Sequence, residues 1–158
     1  MYLKRLTLHN FRNYSDEEFT FSDGVNVFVG ANAQGKTNVA ESIFYACTGY
    51  SPRANRDKEL IRQGETDAVI FAEAESNFGS VTIEVRLNLD GDKEIFVNGA
   101  KLSKMGDLFG NINSVFFNPQ ELKLVQESPE DRRRFMNISL SQMSKRYFYA
   151  LLRYNKIL

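Results

Sequence analysis

The sequence has a single cysteine, Cys47, among its 158 residues. One thiol excludes an intrachain disulfide framework and a metal site built from several cysteines. Long apolar runs are also missing: no stretch approaches the length needed to cross a membrane, and the first residues lack the pattern of a signal peptide. We therefore expect Cys47 to be a buried core thiol and the chain to reside in a reducing, cytoplasmic setting.

Net charge is absent as well, because 20 lysine and arginine residues balance 20 aspartate and glutamate residues. Without a basic excess the chain has no bulk electrostatic footprint for nucleic acid, so any DNA contact has to come from a local patch. The content of 42% hydrophobic and 13% aromatic residues suffices for a core and argues against disorder. The length suits one domain or a piece of a larger protein.

One stretch of the sequence fits the phosphate-binding pattern G-x-x-x-x-G-K-[ST]. It consists of Gly30, Ala31, Asn32, Ala33, Gln34, Gly35, Lys36 and Thr37. Residues 25–29 are apolar and β-branched, which predicts a strand before the loop. Apolar residues recur at helical spacing after it, up to Gly49, a predicted C-cap. A glycine-rich turn can match by chance, but a match between a strand and an amphipathic helix favours a nucleotide site.

The residue types of this loop define its expected chemistry. Gly30 and Gly35 permit a tight turn whose N–H groups approach a polyphosphate, and the following helix adds the positive end of its dipole. We expect Lys36 to contact the β- and γ-phosphates and the Thr37 hydroxyl to bind Mg²⁺. Asn38, one residue further on, is a candidate anchor of the loop.

A short connection before the loop contains two further candidates. Residues 1–10 and 16–21 are predicted strands, and Arg12 and Asn13 lie between them. This connection is either an ordinary turn, which pattern alone favours, or a segment that folds over the loop and brings both side chains near the nucleotide.

A basic linker follows the predicted helix, at residues 51–60. Its arginines, Arg53 and Arg56, are either solvated or reach phosphate, as charge clamps do in phosphoryl transfer. The sequence does not decide between these two interpretations.

The middle of the chain has the pattern of an antiparallel sheet. Residues 68–75, 80–89 and 94–97 are strand-like, and Asp90-Gly91 and Asn98-Gly99 are hairpin signals. The clean alternation in residues 80–89 predicts a sheet with one solvated face.

Later residues predict one more strand and two helices. Residues 112–117 form an apolar strand that leads to a corner containing Gln120, which is either a metal ligand or, more often, a surface side chain. Ser128 is a predicted N-cap, and a last helix begins at Ser144. The run Arg132-Arg133-Arg134 is either a solvated helix face, which we favour, or a phosphate or DNA contact.

Four segments together closely resemble the RecF family of bacterial recombination mediators, which are ABC-type ATPases related to SMC proteins. They are Asn10-Phe11-Arg12-Asn13-Tyr14, residues 30–38, Arg56-Asp57-Lys58-Glu59-Leu60-Ile61-Arg62 and Arg132-Arg133-Arg134-Phe135. The resemblance runs the length of the chain and covers only the N-terminal part of the family, whose members are over twice as long.

This resemblance implies an α/β fold: the N-terminal portion of a P-loop ABC-type ATPase head, with an antiparallel β subdomain and C-terminal helices. On this basis we divide the chain into a P-loop strand and helix core at residues 1–66, a β-rich region at 67–117 and a helical segment at 118–158.

It also implies function. Members of the family bind ATP with Mg²⁺, dimerise on ATP, bind DNA, and help to load RecA at gaps through RecR in DNA replication, recombinational repair and the SOS response. Lys36 and Thr37 take the family's phosphate and Mg²⁺ roles. Arg12 and Asn13 match an N-terminal motif that approaches the nucleotide in related heads, and Gln120 lies where related ATPases place the glutamine loop, as a second candidate metal ligand.

Two elements that ABC-type hydrolysis requires are missing. Residues 69–73 come nearest to a Walker B run but lack its aspartate, and Leu102-Ser103-Lys104-Met105 lacks the glycines of a signature motif. In the family both elements lie beyond residue 158. We therefore expect a segment that binds ATP weakly and hydrolyses it poorly.

Two other functions are compatible with parts of the sequence. A self-contained small P-loop phosphotransferase would need a lid arginine and an acidic base; Arg53, Arg56 or residues 132–134 could supply the arginine, but no base stands out. A DNA or partner platform is the third possibility, for which the neutral charge predicts weak, salt-sensitive DNA binding at most.

Overall fold

The computed structural model describes residues 1–76, 79–117 and 129–157, and its main feature is a six-stranded antiparallel sheet. The strands are β1 (Tyr2–Phe11), β2 (Tyr14–Thr20), β3 (Asp67–Ser76), β4 (Gly79–Asn88), β5 (Lys93–Val97) and β6 (Ala100–Lys101). Their order in the sheet is β2-β1-β3-β4-β5-β6. The predicted strands near the N-terminus and in the middle of the chain are confirmed.

Alternation along the strands produces one buried face. On β3 the residues Ala68, Ile70, Ala72 and Ala74 are at most 1% exposed, and Ile70 lies opposite the buried Val85 of β4. Burial of every second side chain is the pattern of a sheet with one face against a core. The other face carries ion pairs, among them Arg5 with Glu73 at 2.9 Å, so the predicted solvated face is confirmed.

Helix α1 (Lys36–Thr48) packs on the buried face of the sheet. Val39, Tyr45 and Ala46 join the strand residues in one hydrophobic cluster. The helix ends as predicted at Gly49, whose φ of 68° is left-handed and whose N–H donates to Tyr45 O at 2.7 Å. Cys47 is 2% exposed, which confirms the prediction of a buried thiol.

Two further helices, α2 (Pro129–Met143) and α3 (Lys145–Ile157), pack against each other. Phe148 of α3 packs in a tilted arrangement against Phe109, with ring centroids 5.0 Å apart, which connects the helix pair to the rest of the protein. Short 3₁₀ helices cover Asp57–Leu60 and Met105–Asp107. Among the described residues, no helix is long and apolar enough to span a membrane.

Two predicted strands are wrong. Residues 25–29 and 112–117 belong to no strand, and Val25, Val29 and Val115 are 88%, 91% and 90% exposed. A strand forms only where a neighbouring strand takes up its backbone hydrogen bonds, and within the described residues neither stretch has such a neighbour. Residues 25–29 are nevertheless anchored, because the Phe28 ring packs edge-on against Phe19 and Phe21.

Candidate nucleotide-binding site

The phosphate-binding motif forms an exposed loop that leads directly into the first turn of α1. Gly35 occupies the N-cap position with a φ of 98°, and neither a side-chain cap nor an acidic residue blocks the helix N-terminus. Unpaired N–H groups and the positive end of the helix dipole favour an anion at such a terminus. The backbone geometry therefore suits a phosphate group.

Lys36 extends along the same loop. Its Nζ donates to the carbonyl oxygens of Gly30 and Ala31 at 2.7 and 2.6 Å. These bonds hold the ammonium group at the mouth of the loop, where phosphate oxygens can take the place of the two carbonyls. Thr37 is exposed in the first helical turn, so its hydroxyl is accessible to a hydrated metal ion.

The turn between β1 and β2 lies against this loop, as one of the two sequence interpretations has it. A Cβ placed on Gly35 would lie 2.6 Å from Asn13 Nδ2 and 2.7 Å from Tyr14 Oη. Asn13 Nδ2 also donates to Gln34 O at 3.3 Å. By contrast, apart from its chain neighbours, no atom of the described residues lies within 4 Å of a Cβ placed on Gly30, so Gly35 is the glycine on which the packing depends.

Asn38 connects the turn to the basic linker. Its Nδ2 donates to Asn13 Oδ1 at 2.7 Å, and its Oδ1 accepts from Arg53 Nη1 at 2.7 Å. The side chain therefore fixes the first turn of α1 to both flanking segments, which supports the prediction of Asn38 as an anchor of the loop.

A buried carboxylate, Glu41, lies one turn further along α1 and is 0% exposed. Arg12 binds it in a bidentate manner, with Nε 3.0 Å from Oε2 and Nη2 2.8 Å from Oε1. Arg53 Nη1 and Ser51 Oγ donate to the same group at 3.1 and 2.6 Å. A carboxylate can be buried at acceptable cost when paired and fully hydrogen-bonded in this way.

The other candidate arginines differ in their placement. Arg56 is exposed, and within the described residues its side chain has no hydrogen bond or ion pair. Arg134 of α2 donates to Ser51 O at 3.2 Å, which places one member of the basic run beside the linker. Gln120 and the predicted N-cap Ser128 lie outside the described residues.

We next considered which side chains of the described residues could bind a metal ion. The described part of the chain has no group of three or more His, Cys, Asp or Glu side chains that could hold a metal ion. Glu73, in the stretch nearest to a Walker B run, is bound to Lys4 and Arg5 on the solvated face of the sheet. Thr37, exposed in the first turn of α1, stays the candidate metal ligand among the described residues.

Sequence reasoning missed Glu41 and Ser51. An acidic residue in a helix is normally solvated, so Glu41 gave no signal by type. The position of Glu41 did give a signal, because Glu41 lies on the same helix face as Val39, Ser42 and Tyr45, which are buried. Arg12 and Arg53, which precede and follow the loop in the sequence, also require a negative charge between them if both lie near it.

Comparison with known proteins agrees with this geometry. The sequence matches the family model described as an AAA domain over residues 5–153. The DNA replication and repair protein RecF of Clostridium botulinum (strain Eklund 17B / Type B) is 47% identical across all 158 residues, which cover 44% of that protein. RecF of Clostridium tetani (strain Massachusetts / E88) is 46% identical, with 43% of its length covered. The chain spans less than half the length of these curated relatives.

Solved structures show the same relationship. The recombination mediator protein RecF with ATP, of the RecFOR pathway, superposes on 98% of this chain with a TM-score of 0.93 at 35% identity, and the match covers 42% of that structure. A structure from work on ATP-driven dimerisation of SMC ATPases matches 91% of this chain and all of its own chain, with a TM-score of 0.71 at 23% identity, a likeness of fold alone.

The resemblance found in the sequence and the predicted ATPase-head fold are both confirmed. A P-loop at the start of α1, a supporting hairpin turn and a family match over nearly the whole chain agree with one another. The chain therefore belongs to the AAA-domain family and corresponds to the N-terminal part of the RecF proteins.

Proposed function

We propose that this chain is the ATP-binding part of a RecF-like recombination mediator. The observation that carries the proposal is the loop before α1, where an uncapped helix N-terminus, the Lys36 ammonium group and a glycine packed against Asn13 occur together. A relative described with ATP shares this fold at 35% identity. The antiparallel sheet gives no support to the alternative, a small phosphotransferase.

In the proposed complex the chain's own groups bind and orient the triphosphate. The N–H groups at the start of α1 donate to phosphate oxygens, and Lys36 exchanges its two carbonyl acceptors for phosphate. Asn13, through Gln34 and Asn38, keeps the loop in register with the helix. Mg²⁺ bound at the Thr37 hydroxyl would neutralise phosphate charge.

We further propose that the intact protein binds DNA in an ATP-dependent manner, forms an ATP-dependent homodimer and acts with RecR in DNA replication, recombinational repair and the SOS response, in the cytoplasm. A local basic surface supports the DNA part. Helices α2 and α3 contain two acidic residues and seven exposed basic residues. The basic residues are Arg132, Arg133, Arg134, Lys145, Arg146, Arg153 and Lys156. The neutral chain as a whole thus has an uneven charge distribution.

Calorimetric titration of this chain with ATP and Mg²⁺ tests the nucleotide site. Lys36→Ala removes a charged phosphate contact, so ATP affinity should fall roughly 10- to 100-fold. Lys58→Ala is the matched control, because Lys58 is exposed in the linker's 3₁₀ helix and its side chain has no hydrogen bond or ion pair within the described residues. Equal ATP affinity of the wild-type chain and Lys36→Ala would contradict the proposal.

The metal ligand is tested separately. Thr37→Ala should abolish most of the gain in ATP affinity that Mg²⁺ provides over EDTA, because the hydroxyl is lost. Thr37→Ser keeps the hydroxyl and should preserve that gain. A Mg²⁺ effect that is the same in all three proteins would exclude Thr37 as the ligand.

A further inference from the structure

Glu41 is a carboxylate that is both fully buried and extensively hydrogen-bonded. It is 0% exposed, and its two oxygens accept four hydrogen bonds, from Arg12 twice, from Arg53 and from Ser51. An apolar side chain of similar volume would fill the same space without the cost of desolvating a charge. The retained charge therefore calls for a role beyond packing.

The four bonds join three segments that are far apart in the sequence. Arg12 lies in the turn between β1 and β2, Glu41 in α1, and Ser51 and Arg53 in the basic linker. Arg12 has a left-handed φ of 55°, which is costly for a residue with a side chain, so its position depends on contacts of this kind. Its Nη1 also donates to Glu59 O at 2.9 Å, which fixes the guanidinium plane.

Among the described residues, charge is not balanced within this cluster, since two guanidinium groups share one carboxylate. Arg12 uses all three of its nitrogen atoms in bonds to Glu41 and Glu59. Arg53 uses only Nη1, its side chain is 36% exposed, and within the described residues its Nε and Nη2 have no partner. With respect to the described residues, the Nε and Nη2 atoms of Arg53 are thus the part of the cluster that is open to a ligand.

The position of Arg53 connects its Nε and Nη2 atoms to the phosphate loop, residues 30–37. The nitrogen that contacts Glu41 also donates to Asn38 Oδ1, in the first turn of α1, and Asn38 in turn bonds Asn13 beside Gly35. Rotation of the Arg53 side chain away from Glu41 would therefore remove a donor from Asn38 as well. A single buried carboxylate controls both the arginine and the anchor of the loop.

We propose that Glu41 is a positioning residue for nucleotide binding, which acts through Arg53 and Asn38 without touching the nucleotide. This inference rests on the proposed ATP site. It assigns to a buried carboxylate the orientation of the positive charge beside the loop, so ATP affinity depends on the negative charge at residue 41 as well as on the loop residues themselves.

The test compares ATP affinity in matched variants of this chain, each checked for folding by circular dichroism. Glu41→Gln keeps the shape of the side chain and removes its charge, and should weaken ATP binding at least about tenfold. Glu73→Gln is the control, since Glu73 likewise holds two cations, Lys4 and Arg5, but on the solvated face of the sheet. Its ATP affinity should equal that of the wild-type chain.

A double-mutant cycle separates positioning from general stability. Arg53→Met should also weaken ATP binding. The double variant Glu41→Gln/Arg53→Met should bind ATP no more weakly than the single variant with the lower ATP affinity, because both substitutions remove the same interaction. Additive losses, or a folded Glu41→Gln that binds ATP as the wild type does, would overturn the inference. If Glu41→Gln fails to fold, unchanged ATP affinity in Arg53→Met overturns it instead.

The wild-type chain and Lys36→Ala separate this inference from the function on which it rests. ATP binding that Lys36→Ala abolishes and Glu41→Gln leaves intact contradicts the role of Glu41 alone. Absence of ATP binding by the wild-type chain contradicts the proposed function and the role of Glu41 together.

Discussion

Replacing Gly35 with alanine tests how the phosphate loop is held. Gly35 has a φ of 98°, a conformation that residues with a Cβ rarely adopt. The added methyl group would lie 2.6 to 2.7 Å from Asn13 Nδ2, Asn13 Oδ1 and Tyr14 Oη, closer than such atoms approach. Either the backbone of the loop changes or the turn between β1 and β2 moves away.

Two costs add up. A left-handed backbone at a non-glycine residue costs about 1–2 kcal/mol. Displacement of Asn13 breaks its bonds to Gln34 and Asn38, each worth about 0.5–1.5 kcal/mol. The expected destabilisation is therefore about 2–5 kcal/mol, which corresponds to a fall of about 4–20 °C in Tm for a chain of this size.

Thermal unfolding of the nucleotide-free protein, followed by circular dichroism, measures this effect. Gly30→Ala is the matched control in the same motif, because Gly30 has no positive φ and a Cβ there meets no atom within 4 Å in the described part of the chain beyond its chain neighbours. Its Tm should stay close to that of the wild type. Equal Tm values for the two alanine variants would refute the contact between Gly35 and Asn13 as the support of the loop.

Three further outcomes follow from the structure. Burial raises the pKa of the Cys47 thiol to about 11, so a thiol reagent at neutral pH should modify Cys47 slowly in the folded chain and rapidly in denaturant, and equal rates would contradict its burial. The hydrogen bond with Asp16 raises the pKa of His9 above its ordinary 6.5, so the pair stabilises the fold fully below pH 6.5 and loses this contribution as the pH rises through the folded pKa. NMR titration of this single histidine should show its pKa falling toward 6.5 in Asp16→Asn, and an unchanged pKa would exclude the bond. Because the net charge is zero, binding of a DNA duplex by this chain, measured by fluorescence anisotropy, should be weak at physiological salt and strengthen as salt is lowered. Tight binding at physiological salt would contradict this expectation.

Most of the sheet follows from local sequence. Alternating burial in β3 and β4, and the left-handed Asn98 and Gly99 between β5 and β6, are encoded within a few residues of where they occur. Residues 25–29 and 112–117 are at least as rich in β-branched and aromatic residues as these strands, yet they form no strand. Composition measures the tendency of a segment to extend, whereas a strand also requires a neighbour, and that requirement is not local.

The site divides in the same way. The phosphate loop and the C-cap at Gly49 are readable from type and spacing, because backbone conformation and helix termination depend on adjacent residues. The contact of Asn13 with Gly35 joins positions 22 residues apart, and the bond of Arg12 to Glu41 joins positions 29 residues apart. Resemblance to a family pointed to Arg12 and Asn13, but residue type alone did not identify Glu41 of α1 as the partner of Arg12.

The position of β1 within the sheet affects the order in which the protein assembles. β1 pairs on one side with β2 across a two-residue turn, a local event, and on the other with β3, where His9 lies opposite Val69. This second pairing closes a long stretch of chain that contains the phosphate loop, Glu41 and Arg53, and closure of long loops is slow. The residues of the candidate site should therefore come together late in folding, after the early hairpin has already formed the turn that contains Arg12 and Asn13.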